Sequence, residues 1–230
     1  MGGVPVVAAV AITSIANLSD SDPTKHTLAF IGFGAMLWLI VAGVLKVLQA
    51  RRQDAKEYAD QQYDGLKAAL MTVHALVAQK ARITGADIMS GKLRATIHRI
   101  VPEDEKLEQL IPYVGGKGGL VGRRFDIHSG IIGKAARLKK PFVAKRQNAD
   151  HTLYIAELIS EWSYTDDDAR KLTDDRMAWL AVPIFSKNRG EAQAVVYFDS
   201  TDSELFTEEI AFLVTYACGG IASYCEEKYK

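Results

Sequence analysis

Residues 178–199 read AWLAVPIFSKNRGEAQAVVYFD, which is the clearest hairpin pattern in the chain. Two segments rich in β-branched and aromatic residues, Ala178–Phe185 and Glu191–Asp199, flank the polar turn SKNRG, as antiparallel strands joined by a short loop do. Pro183 cannot donate a ladder hydrogen bond, which indicates an edge strand or a bulge at that point. The fold is therefore expected to be built on an antiparallel sheet.

Other segments add strands and helices to this hairpin. Leu93–Val101 alternates apolar and polar residues, the pattern of a half-buried strand. A short helix is predicted at Gly130–Leu138 with Ser129 as its N-cap, and a final helix begins after Thr207, whose hydroxyl caps it. Further strands are expected at Lys106–Val114, Val121–Ile127 and Pro141–Lys145. This order predicts an α+β fold, one antiparallel sheet with helices packed on one face.

An uncharged segment near the N-terminus predicts a membrane span. It reads LAFIGFGAMLWLIVAGVL over Leu28–Leu45, and its extension to Leu48 spans roughly the 30 Å hydrocarbon core of a bilayer. A fully buried helix is the alternative, but a chain of 230 residues has little bulk to surround one. Lys46, Arg51 and Arg52 follow the segment, and this cationic flank predicts that the C-terminal part is cytoplasmic. The expected location is the bacterial inner membrane.

These segments divide the chain into four parts. Residues 1–27 are predicted to form a weak apolar helix and a short polar loop, 28–48 a transmembrane helix, 49–65 a juxtamembrane helical linker, and 66–230 the globular domain. Residues 4–18 either complete a two-helix membrane hairpin or form a signal peptide, and the absence of Lys and Arg before them favours the hairpin.

A short heptad pattern lies at the junction of linker and domain. Its apolar residues are spaced alternately four and three apart, as in parallel helices that pair: Ala59, Tyr63, Leu66, Leu70, Val73 and Val77. The pattern is too short to distinguish a dimerising helix from a helix that packs on its own domain. A homodimer or higher oligomer is one of the expected assemblies.

Composition and motif spacing exclude several classes of site. The 28 basic residues balance 28 acidic residues, so the net charge gives no indication about nucleic acid. No nucleic-acid partner is predicted. GGKGG at Gly115–Gly119 lacks the spacing of a phosphate loop and predicts a turn, and DDDARKLTDD lacks the EF-hand spacing and predicts a solvated loop or helix start. Cys218 and Cys225 are expected to be reduced, buried thiols. His98, His128 and His151 lack metal-ligand spacing and an adjacent nucleophile pattern, so no metal is predicted. No cofactor is predicted either.

Three parts of the domain carry a resemblance to a known family. They are GIIGKAA at Gly130–Ala136 with KPFV at Lys140–Val143, LAVPI at Leu180–Ile184 with AVVYFDS at Ala194–Ser200, and Phe206-Thr207 before the last helix. Over about Leu66 to Glu227 the chain resembles a GAF domain. The resemblance implies a cytoplasmic sensory module that binds a small molecule, often a cyclic nucleotide, between its sheet and its helices. It also implies dimerisation through the first and last helices.

The chain departs from the family in two respects. The Asn-Lys-Phe-Asp-Glu pattern of the regulatory domains of cyclic-nucleotide phosphodiesterases is absent. The cysteines of the free methionine sulfoxide reductases of this fold are also missing, since both cysteines here lie in the predicted last helix.

A basic run precedes an acidic run in the middle of the domain. Residues 117–146 hold nine basic residues and the acid Asp126, whereas residues 150–176 are mostly acidic among their charged residues. Such segregation predicts a positive pocket for a phosphate-bearing ligand, because guanidinium groups bind phosphate bidentately. The alternatives are that the two runs pair with each other, that the basic run faces anionic lipid, or that both runs are solvated.

Aromatic residues near the acidic run extend this hypothesis. Trp162 and Tyr164 are candidates for a lid over the pocket, whereas Trp179, inside a predicted strand, is more typical of a core residue. His128 lies next to the Gly130 helix. The predicted ligand-binding residues are Arg123, Arg124, His128, Lys134, Arg137, Trp162 and Tyr164.

The sequence thus predicts a membrane-anchored cytoplasmic sensor of a small anionic ligand of nucleotide type, such as a cyclic nucleotide. No catalytic activity of its own is expected, and no catalytic residue is assigned. The expected partners are this ligand, the lipid bilayer and a second copy of the chain. Two alternatives are a ligand-gated membrane effector or pore of a bacterial anti-phage nucleotide signalling system, and a ligand-free dimerisation platform.

Overall fold

A computed structural model of the protein describes residues 23–186 and 190–228. The chain divides into two units, Met1–Gln61 and Gln62–Lys230. Helix α1 spans Pro23–Lys80 and contributes to both units. The predictions for residues 4–18 lie outside the described residues.

The first unit contains a candidate membrane span. Gly32–Asp54 is long and apolar enough to cross a bilayer, with a mean hydropathy of 1.8 and no buried residue in its most apolar window. Large side chains such as Phe33 and Trp38 are exposed in it. The apolar surface of this segment is therefore not covered by the described parts of the protein.

Six strands of the described residues form one antiparallel sheet in the second unit. They are β1 (Leu93–Val101), β2 (Lys106–Gln109), β3 (Arg124–Asp126), β4 (Phe142–Lys145), β5 (Ala178–Phe185) and β6 (Ala192–Ser200). Their order across the sheet is β3-β2-β1-β6-β5-β4. The predicted hairpin, β5 and β6, therefore lies near the centre, and β6 pairs with β1 through partners such as Ile97 and Val196.

The helices of the second unit lie between and after the strands. They are α2 (Gly85–Met89), α3 (Gly130–Leu138), α4 (His151–Trp162), α5 (Asp166–Ala169), α6 (Glu208–Ala217) and α7 (Gly219–Lys228), with one 3₁₀ turn at Pro102–Asp104. The α3 and β1 bounds are those predicted. Thr207 caps α6 by accepting a hydrogen bond from the Ile210 amide at 3.3 Å, whereas the Ser129 hydroxyl donates to the Ser163 carbonyl instead of capping α3.

The α+β class and the antiparallel sheet are confirmed, but helices cover both faces of the sheet rather than one. The side chains of Leu180, Val196 and Phe198 pack with α1, α6 and α7. The intervening Ala181, Val195 and Tyr197 pack with α3 and α4 on the opposite face. Alternate residues of a strand point to opposite faces. The unbroken apolar run 194–198 therefore places apolar side chains on both faces of the sheet, and helices must pack on both. Such runs are typical of strands that are buried on both sides.

Four of the heptad residues of α1 are buried in the core of the domain. Leu66, Leu70, Val73 and Val77 are each at most 4% exposed and lie in the same core as Phe198. The sequence left open whether this helix dimerises or packs on its own domain. In the structure, this part of α1 packs on its own domain.

Candidate ligand-binding site

Two adjoining cavities lie on the α3–α4 side of the sheet. The inner cavity, of about 300 Å³, extends between β5, β6 and α4. The outer cavity, of about 910 Å³, extends towards β2 and β3. The residues that line both are Tyr113, Arg123, Tyr164, Lys171, Leu172 and Tyr197. These residues form a shared wall, so the two cavities make one site in two parts.

Six aromatic side chains line the inner cavity: Tyr113, Tyr154, Trp162, Tyr164, Trp179 and Tyr197. The Tyr154 and Trp179 rings are parallel within 4°, with centroids 6.2 Å apart. The Tyr113 and Tyr197 rings meet edge to face at 6.5 Å. Flat π-faces on several sides of a small cavity suit a planar ring, because aromatic groups stack or meet edge to face in such geometry. Trp179 thus lines the cavity as well as packing in the core.

The tyrosine hydroxyls of this cavity are neutral at physiological pH. Burial raises the pKa of Tyr164 to about 12 and raises the pKa values of Tyr113, Tyr154 and Tyr197 as well. A protonated phenol both donates and accepts a hydrogen bond. The aromatic walls can therefore orient polar groups of a ligand without adding charge.

A buried ionic cluster forms the polar end of the inner cavity. The Asp199 carboxylate accepts hydrogen bonds from Arg94 Nε at 2.8 Å and Arg94 Nη2 at 2.9 Å. Arg176 Nη1 approaches the same carboxylate at 3.3 Å and donates to the Gly91 carbonyl at 2.8 Å. The Arg94 guanidinium also lies 4.4 Å from the centroid of the Tyr113 ring. The Asp199 carboxylate is consequently held in place by two arginines.

His98 is a buried polar residue in the wall of the outer cavity. It is 1% exposed, and its Nδ1 atom has no hydrogen-bond partner among the described residues. Burial, with a smaller contribution from the positive charge of Arg123, lowers the pKa of His98 to about 3. The imidazole is therefore neutral at physiological pH, and a buried polar atom without a partner is costly. A ligand group is one way to satisfy it.

The predicted site residues separate into two groups. Arg123 and Tyr164 line both cavities, Trp162 lines the inner cavity and Arg124 lines the outer one. His128, Lys134 and Arg137 line neither cavity.

Each residue of the second group has another contact. The His128 ring is exposed and lies 3.7 Å from Glu105. The Lys134 ammonium lies over the Phe142 and Trp162 rings, at 4.7 and 4.8 Å from their centroids. The Arg137 guanidinium donates to the Ile127 carbonyl. The α3 helix therefore directs its cations away from the cavities.

Three of the nine basic residues in the basic run pair with carboxylates. Arg124 lies 2.6 Å from Asp104, and Arg146 lies 2.8 Å from Asp174, and Lys145 pairs with Glu204. Of these, only the Arg146–Asp174 pair joins the basic run to the acidic run. The pairing alternative thus holds in part, with carboxylates that lie mostly outside the acidic run.

The glycine-rich segment packs closely between the cavity and α1. Gly118 and Gly119 line the inner cavity, and Arg94 Nη1 donates to the Lys117 carbonyl at 3.2 Å. Gly115 has a φ of +80°, and a Cβ atom there would lie 2.2 Å from His74 Nε2. The segment predicted as a turn therefore also forms part of the cavity wall.

Sequence reasoning missed Arg94, Tyr113, Arg176 and Asp199. Arg94 lies 105 positions and Arg176 lies 23 positions before their shared partner Asp199, so no local motif joins them. The available signal was Asp199 itself, a carboxylate at the end of the apolar strand AVVYFD. A charged residue at such a position is rarely buried without a partner.

Comparison with known proteins places the domain by its fold. No family model matches the chain, and no curated protein matches it. Among solved structures, the GAF domain of an Acinetobacter phosphoenolpyruvate-protein phosphotransferase is 13% identical, covers 74% of this chain and 95% of its own, and has a TM-score of 0.44. The corresponding GAF domain from Coxiella burnetii is 13% identical, covers 70% of this chain and 95% of its own, and has a TM-score of 0.44.

A third structure is a type II free methionine-R-sulfoxide reductase from Thermoplasma acidophilum. It is 13% identical, with 72% of this chain and 96% of its own covered, and a TM-score of 0.48. The second unit of the protein has a GAF-like fold, as the resemblance implied.

The neighbours also correct the expectation that the chain has no catalytic activity. Free methionine-R-sulfoxide reductases from Thermoplasma acidophilum and Neisseria meningitidis are among the structures that share this fold. The prediction that the chain has no catalytic activity of its own was wrong, because this fold includes enzymes as well as GAF domains.

Proposed function

We propose that the protein is a membrane-anchored sensor whose cytoplasmic GAF-like domain binds a small nucleotide-type molecule in the two-part cavity. The observation that carries this proposal is the inner cavity, where aromatic rings surround a space of about 300 Å³. A purine or pyrimidine ring fits such walls because every base has a π-face that stacks on aromatic side chains. The adjoining outer cavity leaves room for a sugar and a phosphate beside Arg123.

Membrane attachment is the second part of the proposal. Gly32–Asp54 supports it by length, hydropathy and exposure, and Lys46, Arg51 and Arg52 support a cytoplasmic position for the domain. Because α1 contributes to both the span and the domain core, it is the element through which ligand binding would act on the membrane part.

Contact with a second copy is supported by exposed aromatic residues on α6. Phe212 and Tyr216 are 72% and 84% exposed, and their rings stack with centroids 6.4 Å apart. Large exposed aromatic side chains that lie together mark contact surfaces more often than free surface.

The test is thermal unfolding of the full chain in nanodiscs with a panel of nucleosides and cyclic mono-, di- and oligonucleotides. A ligand at a hundred times its dissociation constant adds ~2.7 kcal/mol of stability, so a binder raises the melting temperature by several degrees. Trp162→Leu, which removes one aromatic wall, should abolish the rise. Met89→Ala, at an exposed residue outside the cavities, should leave it unchanged. If no member of the panel raises the melting temperature, the nucleotide proposal is wrong.

A further inference from the structure

We infer that the two-part cavity selects an aromatic ligand with a single negative charge, and that Arg123 is the residue that recognises this charge. The inference rests on the proposed function and concerns the same site. It follows from the way in which the charged side chains of the cavity walls are paired.

The outer cavity has cations that are mostly neutralised by neighbouring carboxylates. Lys106 lies 2.8 Å from Asp126. Arg124 lies 2.6 Å from Asp104 and 3.2 Å from Glu108. The pKa values of Asp126 and Glu108 are lowered, chiefly by hydrogen bonds from Lys106 and Arg99 respectively. These carboxylates are therefore ionised at neutral pH and cancel the charge of their partners.

The cations of the inner cavity are paired in the same way. Arg94 is held bidentately by Asp199, and Arg176 contacts both Asp199 and Asp175. Lys171, which lines both cavities, lies 3.4 Å from Asp168. A ligand phosphate would compete with these carboxylates for the same cations.

Arg123 is different, because no carboxylate of the described residues lies within ion-pair distance of its guanidinium. Its charged group instead lies 4.6 Å from the centroid of the Phe125 ring. It stands at the shared wall, where it lines both cavities. Among the six cations of the cavity walls that the structure describes, it alone has no carboxylate within ion-pair distance, and its charge faces the least competition for a ligand.

His98 does not add a second positive charge to this position. It is buried beside the outer cavity and remains neutral, so its contribution to a ligand is a hydrogen bond. Its unpartnered Nδ1 and the Arg123 guanidinium together match an anionic group with one charge and an adjacent hydrogen-bonding atom. A group with several charges would meet Asp104, Asp126 and Asp168 in the same cavity.

The experiment is calorimetric titration of the full chain in nanodiscs with ligands that share one base and differ in charge. For adenine and for guanine, the series runs from the uncharged nucleoside through the 3′,5′-cyclic monophosphate, with one charge, to the 5′-monophosphate, the triphosphate and the cyclic dinucleotide, with more. We expect the cyclic monophosphate of one series to bind tightest. The nucleoside and the triphosphate should each bind roughly tenfold or more weakly, the factor expected for one charge-assisted hydrogen bond.

The control variants isolate Arg123. Arg123→Gln should reduce the preference for the cyclic monophosphate over the nucleoside to about twofold or less, whereas Arg123→Lys, which keeps the charge, should retain most of it. Arg170→Gln, at an exposed arginine that pairs with Asp166 and lines neither cavity, should leave it intact. A triphosphate or cyclic dinucleotide that binds tightest, or a nucleoside that binds equally well, would overturn the inference and leave the proposed function standing. No binding by any member of either series would instead refute the proposed function, and the inference with it.

Discussion

Asp199 joins two arginines at the polar end of the inner cavity, and its carboxylate is 1% exposed. Removing one partner of such a buried ionic group leaves the others without compensation. The geometry of Arg94, which also faces the Tyr113 ring, depends on this carboxylate. Asp199 therefore stabilises the domain and the cavity wall together.

We predict that Asp199→Asn destabilises the domain by about 3–5 kcal/mol, the range measured when a buried ion pair is broken. Asp166→Asn is the matched control, because Asp166 pairs with Arg170 on the surface at 2.7 Å, and exposed pairs contribute little. Chemical denaturation of the full chain, followed by circular dichroism, measures both. Equal effects of the two substitutions would contradict the assignment of Asp199 to a buried cluster.

His98 gives the domain a defined response to acid. Burial lowers its pKa from 6.5 to about 3, so between these values the unfolded chain binds a proton that the folded chain does not. The free energy of unfolding therefore falls as the pH falls through this window. His74, whose pKa is also lowered by burial, acts in the same direction.

His98 is expected to contribute up to ~1.4 kcal/mol per pH unit to the slope of the free energy of unfolding against pH. The slope is measured by denaturation between about pH 5 and pH 6.5, above the range in which most carboxylates titrate. His98→Gln should reduce the slope and leave the part that belongs to His74. A slope that is unchanged in this variant would show that His98 is not buried in its neutral form.

At the scale of elements, α1 is the helix whose role the sequence left open. Its residue Leu70 is fully buried in the domain core, whereas the next residue, Met71, is 50% exposed. We predict that Leu70→Ala costs ~2–5 kcal/mol of stability, as large-to-small core substitutions do. Met71→Ala should cost about 0.5 kcal/mol or less. If Leu70→Ala instead dissociated an oligomer without loss of domain stability, the dimerising alternative would be correct.

The elements with strong local signals could be predicted from the sequence. β1, β5 and α3 have the predicted bounds, because alternation and capping signals are local. β2 ends at Gln109 rather than at Val114, and Val114 forms only an isolated bridge to Ala95. Pro112 lies between Gln109 and Val114 and has no backbone N–H to donate to the ladder.

The candidate site was less predictable than the fold. Trp162, Tyr164 and Arg123 are near the cavities because they lie in loops or helix ends on the α3–α4 side of the sheet. Lys134 and Arg137 have the same charge as Arg123 but line neither cavity, and they contact aromatic rings and a backbone carbonyl instead. Charge clustering along the sequence does not determine which side chains face a cavity, since that depends on helix rotation and on long-range pairing.

For the molecule as a whole, the proposal places the domain in the cytoplasm. Lys140 is exposed, and Lys140→Cys should react with a membrane-impermeant maleimide only after the cells are permeabilised. The native thiols should remain unlabelled, because Cys218 and Cys225 are buried and burial raises their pKa values to about 12. Labelling of intact cells would place the domain outside and would refute a cytoplasmic sensor.

The central claim, that a small aromatic molecule binds in the inner cavity, is tested most directly by tryptophan fluorescence. Of the three tryptophans, Trp162 and Trp179 line this cavity, and Trp38 lies in the candidate span. Titration of the full chain in nanodiscs with the cyclic mononucleotides should give a saturable change in emission. The change should persist in Trp38→Phe and should be reduced in Trp162→Phe. No saturable change with any of these ligands, or a change that is lost only in Trp38→Phe, would contradict the claim.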